Sequence, residues 1–203
     1  MKGIILAGGN GKRLLPISKA LNKHLIPIYD KPMIYYPLSV LMMAKIKDIL
    51  IITKEKDITK FEELLGNGER LGINISYATQ NIPNGVAEAI SIGKKFVKQE
   101  DFCLVLGDNV IYGDGLVELL IKAKKFVKQK KKAVIFGYKV KSPNEFGIFE
   151  FKNNKVNKII EKPKKTNSNL AAIGLYFYPN SVINLSKNLK KSKRSEFEIT
   201  DVN

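Results

Sequence analysis

The sequence predicts an α/β fold: a Rossmann-like, mainly parallel sheet with helices on both faces, plus a β-rich subregion. Three observations carry this. Short apolar, β-branched runs alternate with longer amphipathic stretches through the first part of the chain. Several of those runs are apolar throughout, as in strands covered on both faces. The first run ends in Gly8, Gly9, Asn10 and Gly11, the kind of turn that follows an opening strand where an anion can sit.

Each element follows from its residues. Residues 2–7 form a short apolar run closed by glycines, hence a buried strand. Residues 32–45 are helix-length and apolar, with Pro32 at the opening, where a missing N–H costs nothing. DILIIT (48–53) is the next strand, and 57–65 read as a helix. Residues 74–78 read as a strand, 85–99 have a helical period, and 102–106 form another buried strand. Residues 116–128 are helical and 133–139 are a strand. After about residue 145 the character changes. FGIFEF, KVNKIIEK and AAIGLYFY are strand-like with few helices between them, which suggests a second lobe over the strand ends. No linker rich in Gly, Pro or Ser divides the chain. The expectation is one domain over 1–203 with two subregions, 1–140 and 141–203.

Composition narrows the chemistry. No apolar run reaches the ~18 residues that cross a bilayer, and the N-terminus lacks a signal-peptide core, so the expected location is cytoplasmic with no membrane partner. Cys103 is alone, which excludes a disulfide within the chain and a cysteine-based metal cluster. It lies in an apolar run and reads as a packing residue. One histidine, His24, excludes His-rich zinc sites and two-His iron sites. Any metal would be held by oxygen ligands, which suits Mg2+. The net charge of +16 raises nucleic acid as a partner. The lysines are spread along the chain, however. Their densest clusters, 122–132 and 187–194, look like solvated helix faces, so no nucleic-acid partner is expected. A positive field also serves anionic small substrates.

The glycine loop fits neither common phosphate motif. A dinucleotide fingerprint needs a third glycine where Leu14 stands. A P-loop needs Gly where Leu6 stands, and Ser or Thr where Arg13 stands. What remains is a loop through which the backbone can approach a base and phosphates, followed by Lys12 and Arg13. Arg13 can hold two phosphate oxygens at once.

The run from Leu6 to Leu14 resembles the L-A-G-G-x-G-x-R-L signature of sugar-1-phosphate nucleotidyltransferases. Lys23 through Leu38 is similar to the K-x-L-x-P-[IV]-x-x-K-P-[ML]-I-x-Y motif of the same family. Further matches follow in order. They are Gln80 with Pro83, Asn84 and Gly85; Leu104 to Asn109 with Tyr112 and Gly113; Phe146 with Gly147; Glu161, Lys162 and Pro163; Gly174 to Tyr178; and Glu198 to Asn203. The resemblance spans essentially the whole chain and is most specific to the branch that acts on glucose 1-phosphate and dTTP.

The resemblance implies a reaction in which a sugar phosphate oxygen attacks the α-phosphorus of a nucleoside triphosphate and pyrophosphate leaves in line. Such chemistry needs positioning and charge neutralisation. Gly8, Gly9, Gly11 and Lys12 would bind the nucleotide. Arg13 would clamp the leaving phosphates and Lys23 would sit on the α-phosphate. Asp108, at the end of a buried strand, would hold Mg2+. Gln80, Pro83 and Gly85 would face the base. Asn109, Gly147, Glu161, Lys162, Ala172 and Tyr176 would meet the sugar phosphate, Lys162 on its phosphate and Glu161 on its hydroxyls. Glu161 and Lys162 also read as an exposed ion pair at a turn, and Tyr176 as ordinary strand packing.

Several positions depart from the family pattern. Lys12 replaces a usual Thr, and His24 a usual Gln. Leu170, Ala172 and Ile173 replace Tyr, Val and Thr near the sugar, which could shift sugar choice. Family chains continue past the motif ending at Asn203, with a second metal carboxylate and helices that build a homo-oligomer, usually a tetramer. The readings kept beside the enzyme are a catalytically weak or inactive sugar-nucleotide binding module, and a transferase using another triphosphate such as UTP.

Overall fold

The computed structural model describes residues 1–186, 188–192 and 194–203. Lys187 and Lys193, in the second basic cluster of the sequence, lie outside them. The strands are β1 (Lys2–Leu6), β2 (Pro27–Ile28), β3 (Lys31–Pro32), β4 (Asp48–Thr53), β5 (Asn74–Thr79), β6 (Phe102–Leu106), β7 (Val134–Lys139), β8 (Gly147–Lys152), β9 (Lys155–Glu161) and β10 (Leu170–Tyr178). The helices are α1 (Tyr35–Met43), α2 (Ile58–Leu65), α3 (Glu88–Val97), α4 (Leu116–Lys130) and α5 (Val182–Ser186). No helix among the described residues is long and apolar enough to cross a membrane.

The central sheet runs β5, β4, β1, β6, β10, β8, β9, with β7 on the other edge of β10. The first four strands are parallel. Alternate side chains of these strands enter opposite layers, because successive residues of a strand face opposite sides. Ile5, Ile49, Ile51 and Val105 pack with Leu41 of α1, Phe61 of α2 and Leu120 of α4. Ile4, Leu50, Ile52 and Leu104 pack with Ile90 of α3 and Ile183 of α5. The expected α/β class, with helices on both faces, is what the chain forms.

The β-rich part continues this sheet. β10 pairs antiparallel with β6 through Leu175 to Tyr178, and β8 and β9 extend the sheet antiparallel. β7 is likewise antiparallel to β10 and forms no ladder with β6. Pro32 does not open a helix. Lys31 and Pro32 pair with Pro27 and Ile28 in a small hairpin, and the helix starts at Tyr35. The helix expected at 85–99 starts at Glu88, because Gly85 adopts φ 109°, outside helical space.

β1 is the point where the strand order reverses. β4 and β5 build outward on one side, and β6 on the other. Ligands of open α/β sheets bind outside the carboxyl ends of the strands at such a point. Here those ends carry the glycine loop and Asp108.

Candidate active site

β1 runs out at Leu6, and the Ala7 N–H still bonds the Ile52 carbonyl at 2.7 Å. The chain then turns through Gly8 to Gly11. Gly11 has φ 61°, and a Cβ there would lie 3.0 Å from Ser18 and 3.2 Å from Lys23. The turn therefore needs glycine twice over, for its backbone and for its space. The Ser18 hydroxyl donates to the Gly11 carbonyl at 2.8 Å and braces it. Gly9 lies against the Lys23 side chain, 3.3–3.4 Å from where its own Cβ would be.

Lys23 and Asp108 form an ion pair across the switch point. Lys23 comes from the short turn after the glycine loop, and Asp108 from the end of β6. Burial would push the Asp108 carboxyl up, but the charge and hydrogen bond of Lys23 outweigh it and hold Asp108 below the usual carboxylate range. A cleft of about 740 Å³ opens above the pair. Among the expected site residues, Gly11, Lys12, Arg13, Lys23, Pro83 and Asp108 line it. Arg13 is exposed at the rim, with its guanidinium 3.5 Å from the Glu145 carboxylate. The cleft thus offers three cations (Lys12, Arg13 and Lys23), two carboxylates (Asp108 and Glu196) and open glycine backbone, a net positive set suited to a polyphosphate.

Gln80 sits beneath the loop and is only 5% exposed. Its amide nitrogen donates to Glu88 at 2.6 Å and to the Gly85 carbonyl at 3.3 Å. Its amide oxygen lies 3.1 Å from the place of a Cβ on Gly8. The Gln80–Gly85 segment is clasped by the chain near Phe197, whose N–H donates to the Asn84 carbonyl at 2.6 Å. A Cβ on Gly85 would lie 2.4 Å from the Phe197 carbonyl oxygen.

The remaining expected residues lie on β8, β9 and β10 or beside them, and none of them is among the residues that line the cleft. Gly147 pairs with Glu161 in the β8–β9 register. A Cβ on Gly147 would come within 2.8 Å of Thr200 and 3.3 Å of the Glu161 carboxylate. The Lys162 N–H donates to the Phe146 carbonyl at 2.9 Å. Asn109 packs on Gly174, where a Cβ would lie 2.6 Å from its amide nitrogen. Ala172 is half-buried on β10 opposite Gly137. Tyr176 is 3% exposed and stacks on Tyr178 within the core, so its packing role is the visible one.

The sequence reading missed the residues that tie these parts together. Arg194 bonds Glu161 at 3.3 Å, Glu196 at 2.9 Å and Glu198 at 3.4 Å. Glu196 also lines the cleft. Burial pushes the Glu161 carboxyl up, and the Glu198 charge adds to this, beyond what Lys162 and Arg194 offset. Nothing local marks Arg194, which sits at the end of a lysine-rich run. Glu198 alone was flagged, as part of the final motif. His24 is buried, and burial together with neighbouring Lys23 lowers its pKa to about 3. The ring is neutral.

A mixed sheet whose parallel strands carry a glycine loop and a Lys–Asp pair at their switch point is the frame of a doubly wound α/β protein. The family model described as nucleotidyl transferase matches residues 2–203, and the chain belongs to that family. It is 50% identical over 204 residues to the glucose-1-phosphate thymidylyltransferase of Neisseria meningitidis serogroup A, covering all of this chain and 70% of that protein. It is 51% identical over 203 residues to the protein of the same name from Xanthomonas campestris pv. campestris, covering 68% of it. A crystal structure from Bacillus anthracis in complex with sucrose, proposed as a glucose-1-phosphate thymidylyltransferase, superposes with TM-score 0.90 at 39% identity. That match covers all of this chain and 81% of the other.

Proposed function

We propose that the chain joins dTTP to α-D-glucose 1-phosphate, giving dTDP-glucose and pyrophosphate. The observation that carries this is the Lys23–Asp108 pair at the floor of a cleft walled by the glycine loop. Relatives of about 50% identity with this named activity support the choice of substrates.

The residues divide the work by type. Backbone N–H groups of the glycine loop accept close phosphate approach. Arg13 and Lys12 neutralise the leaving β- and γ-phosphates. Lys23 meets the α-phosphate, where negative charge grows as the sugar phosphate oxygen attacks. The nucleophile is already ionised at neutral pH, so no general base is required. Gln80, with Pro83 and Gly85, meets the base. Lys162 orients the attacking phosphate, while Glu161, Asn109 and Gly147 meet the sugar. Glu161, drawn to Arg194, links the sugar side to the cleft.

Asp108 would hold a magnesium ion. The donor set fits: a single hard carboxylate at the cleft floor, the pattern of Mg2+ sites completed by substrate phosphates. Among the described residues no group of three or more His, Cys, Asp or Glu offers an all-protein cage. When bound, the ion neutralises phosphate charge; positioning and orientation stay with the side chains named above. A cytoplasmic location accords with these substrates.

The test is pyrophosphate release with glucose 1-phosphate, Mg2+ and each of dTTP, UTP, CTP and ATP. Release is expected with dTTP. Loss of one charge-stabilising group costs about 10²–10³-fold in kcat, so Asp108→Asn and Arg13→Ala should each fall by that order. Absence of release with every triphosphate rejects the proposal.

A further inference from the structure

We propose that Asp57, Asn22 and His24 form a buried relay that positions Lys23 and Asp108 from below. This rests on reading Lys23 and Asp108 as the charged pair of the transfer site. None of the three relay residues faces a reacting atom; they are positioning residues.

The relay starts at Asp57, buried at the end of the turn that precedes α2. Its Oδ2 accepts from the Asn22 amide nitrogen at 2.8 Å. A carboxylate offers only acceptors here, so the nitrogen of the Asn22 amide is turned toward Asp57. The same nitrogen reaches the Ala7 carbonyl at 3.2 Å, at the root of the glycine loop. The Thr53 hydroxyl donates to that carbonyl too, at 3.1 Å. Asn22 is thereby held from three sides.

That orientation aims the Asn22 oxygen at His24. It accepts the His24 backbone N–H at 3.0 Å and lies 2.7 Å from the ring Nδ1. An amide oxygen cannot donate, so Nδ1 carries the proton and Nε2 does not. Asp57 thus dictates the tautomer of a ring it does not touch.

The other edge of the ring rests on Gly107. A Cβ there would lie 2.6 Å from the ring Cδ2 and 3.0 Å from Nε2. Gly107 in turn donates its N–H to the Leu6 carbonyl at 2.9 Å. The ring is therefore wedged between the end of β1 and the end of β6. Lys23 directly precedes this ring in sequence, and Asp108 directly follows the glycine it rests on. One rigid, uncharged group sets the spacing of both charged ones. A charged group at that place would compete with Lys23 for Asp108. An apolar group would leave the Asn22 oxygen without the ring donor.

The protein contains one histidine, so labelling histidine with 15N gives the two nitrogen signals of a single ring, with no overlap from another histidine. The expected spectrum has Nδ1 protonated and Nε2 bare, the tautomer that a free histidine side chain disfavours. Small misplacements of reacting groups cost up to ~100-fold, so His24→Leu should lower kcat by about 10- to 100-fold. The KM for dTTP should change by less than about 2-fold, because the loop and Arg13 are untouched. His24→Gln, which keeps a neutral amide donor, should recover most of the rate. A wild-type spectrum with the proton on Nε2 overturns the relay whether or not any variant folds. So does a folded His24→Leu protein with unchanged kcat. A wild-type protein without pyrophosphate release would overturn the transfer reading instead, and the tautomer spectrum would still decide the relay.

Discussion

The parallel and antiparallel halves of the sheet are built from different material. In the parallel half, Ile4, Ile5, Ile51 and Val105 are fully buried between two helical layers. In the antiparallel half, β9 leaves its first four residues exposed, and Phe151 and Val156 are half or more in solvent. The cleft is lined by the strand ends and loops of the parallel half, and Glu196, paired with Arg194, reaches it from the chain beyond β10. The Lys23–Asp108 pair, whose geometry must hold to a fraction of an ångström, hangs from the densely packed half. The Glu161–Arg194 network hangs from the more open half, where, on the function proposed above, charged side chains would adjust to a sugar. Atoms that meet a developing charge need a stiff support, since preorganised groups avoid reorganisation during the reaction. Groups that recognise a neutral ring of hydroxyls tolerate more play.

Matched truncations test this contrast most severely. Ile51→Ala should destabilise the protein by about 2–5 kcal/mol, as large-to-small changes in a sealed core do. Val156→Ala, at an exposed strand position, should cost less than about 0.5 kcal/mol. Urea midpoints at equal slope decide it, and equal losses would abolish the distinction between the halves.

Acid sensitivity sharpens it next. The pKa of His24 falls from 6.5 unperturbed to about 3 in the fold. Below pH ~6.5 the unfolded chain takes up a proton that the folded chain refuses, so stability drops as pH falls toward 3, by at most ~1.4 kcal/mol per unit. His24→Gln removes that term. Its denaturation midpoint should fall less than that of the wild type between pH 7 and pH 5. Parallel curves would mean that the ring is not sealed into the floor of the site.

The smallest effect is expected on the open half. Glu161 has a raised carboxyl pKa, so its ionised form opposes folding at neutral pH. Glu161→Gln should stabilise the protein at pH 7 by no more than about 0.5 kcal/mol, given partial solvent screening. The gain should vanish near pH 4, below the unfolded pKa, where both states are protonated. The KM for glucose 1-phosphate should rise at the same time. A loss of stability at pH 7 would show that the bond to Arg194 outweighs the burial.

Local patterns carried far in this chain. The apolar run 102–106 between Asp101 and Gly107 was readable as a strand to the residue. The glycine loop and the strand end at Asp108 were legible because strand ends and turns have short-range signatures, whereas Lys23 was marked only by the family resemblance. The hairpin at Pro32 was missed because a proline before an apolar run also suits a helix start. The relay was missed because Asn22 and Asp57 are polar residues in loops, which look solvated until something encloses them.

By itself, the sequence determined the α/β class and most of the order of strands and helices. These follow from periodicity and turn chemistry within a few residues. Only the tertiary structure decided that β10 enters beside β6, that Arg194 reaches Glu161, and that the His24 ring is buried against Gly107. Each of those depends on groups far apart in the chain, as Lys23 and Asp108 are, 85 positions from each other. Burial and hydrogen-bond direction are properties of the neighbours, and the neighbours are chosen by the fold.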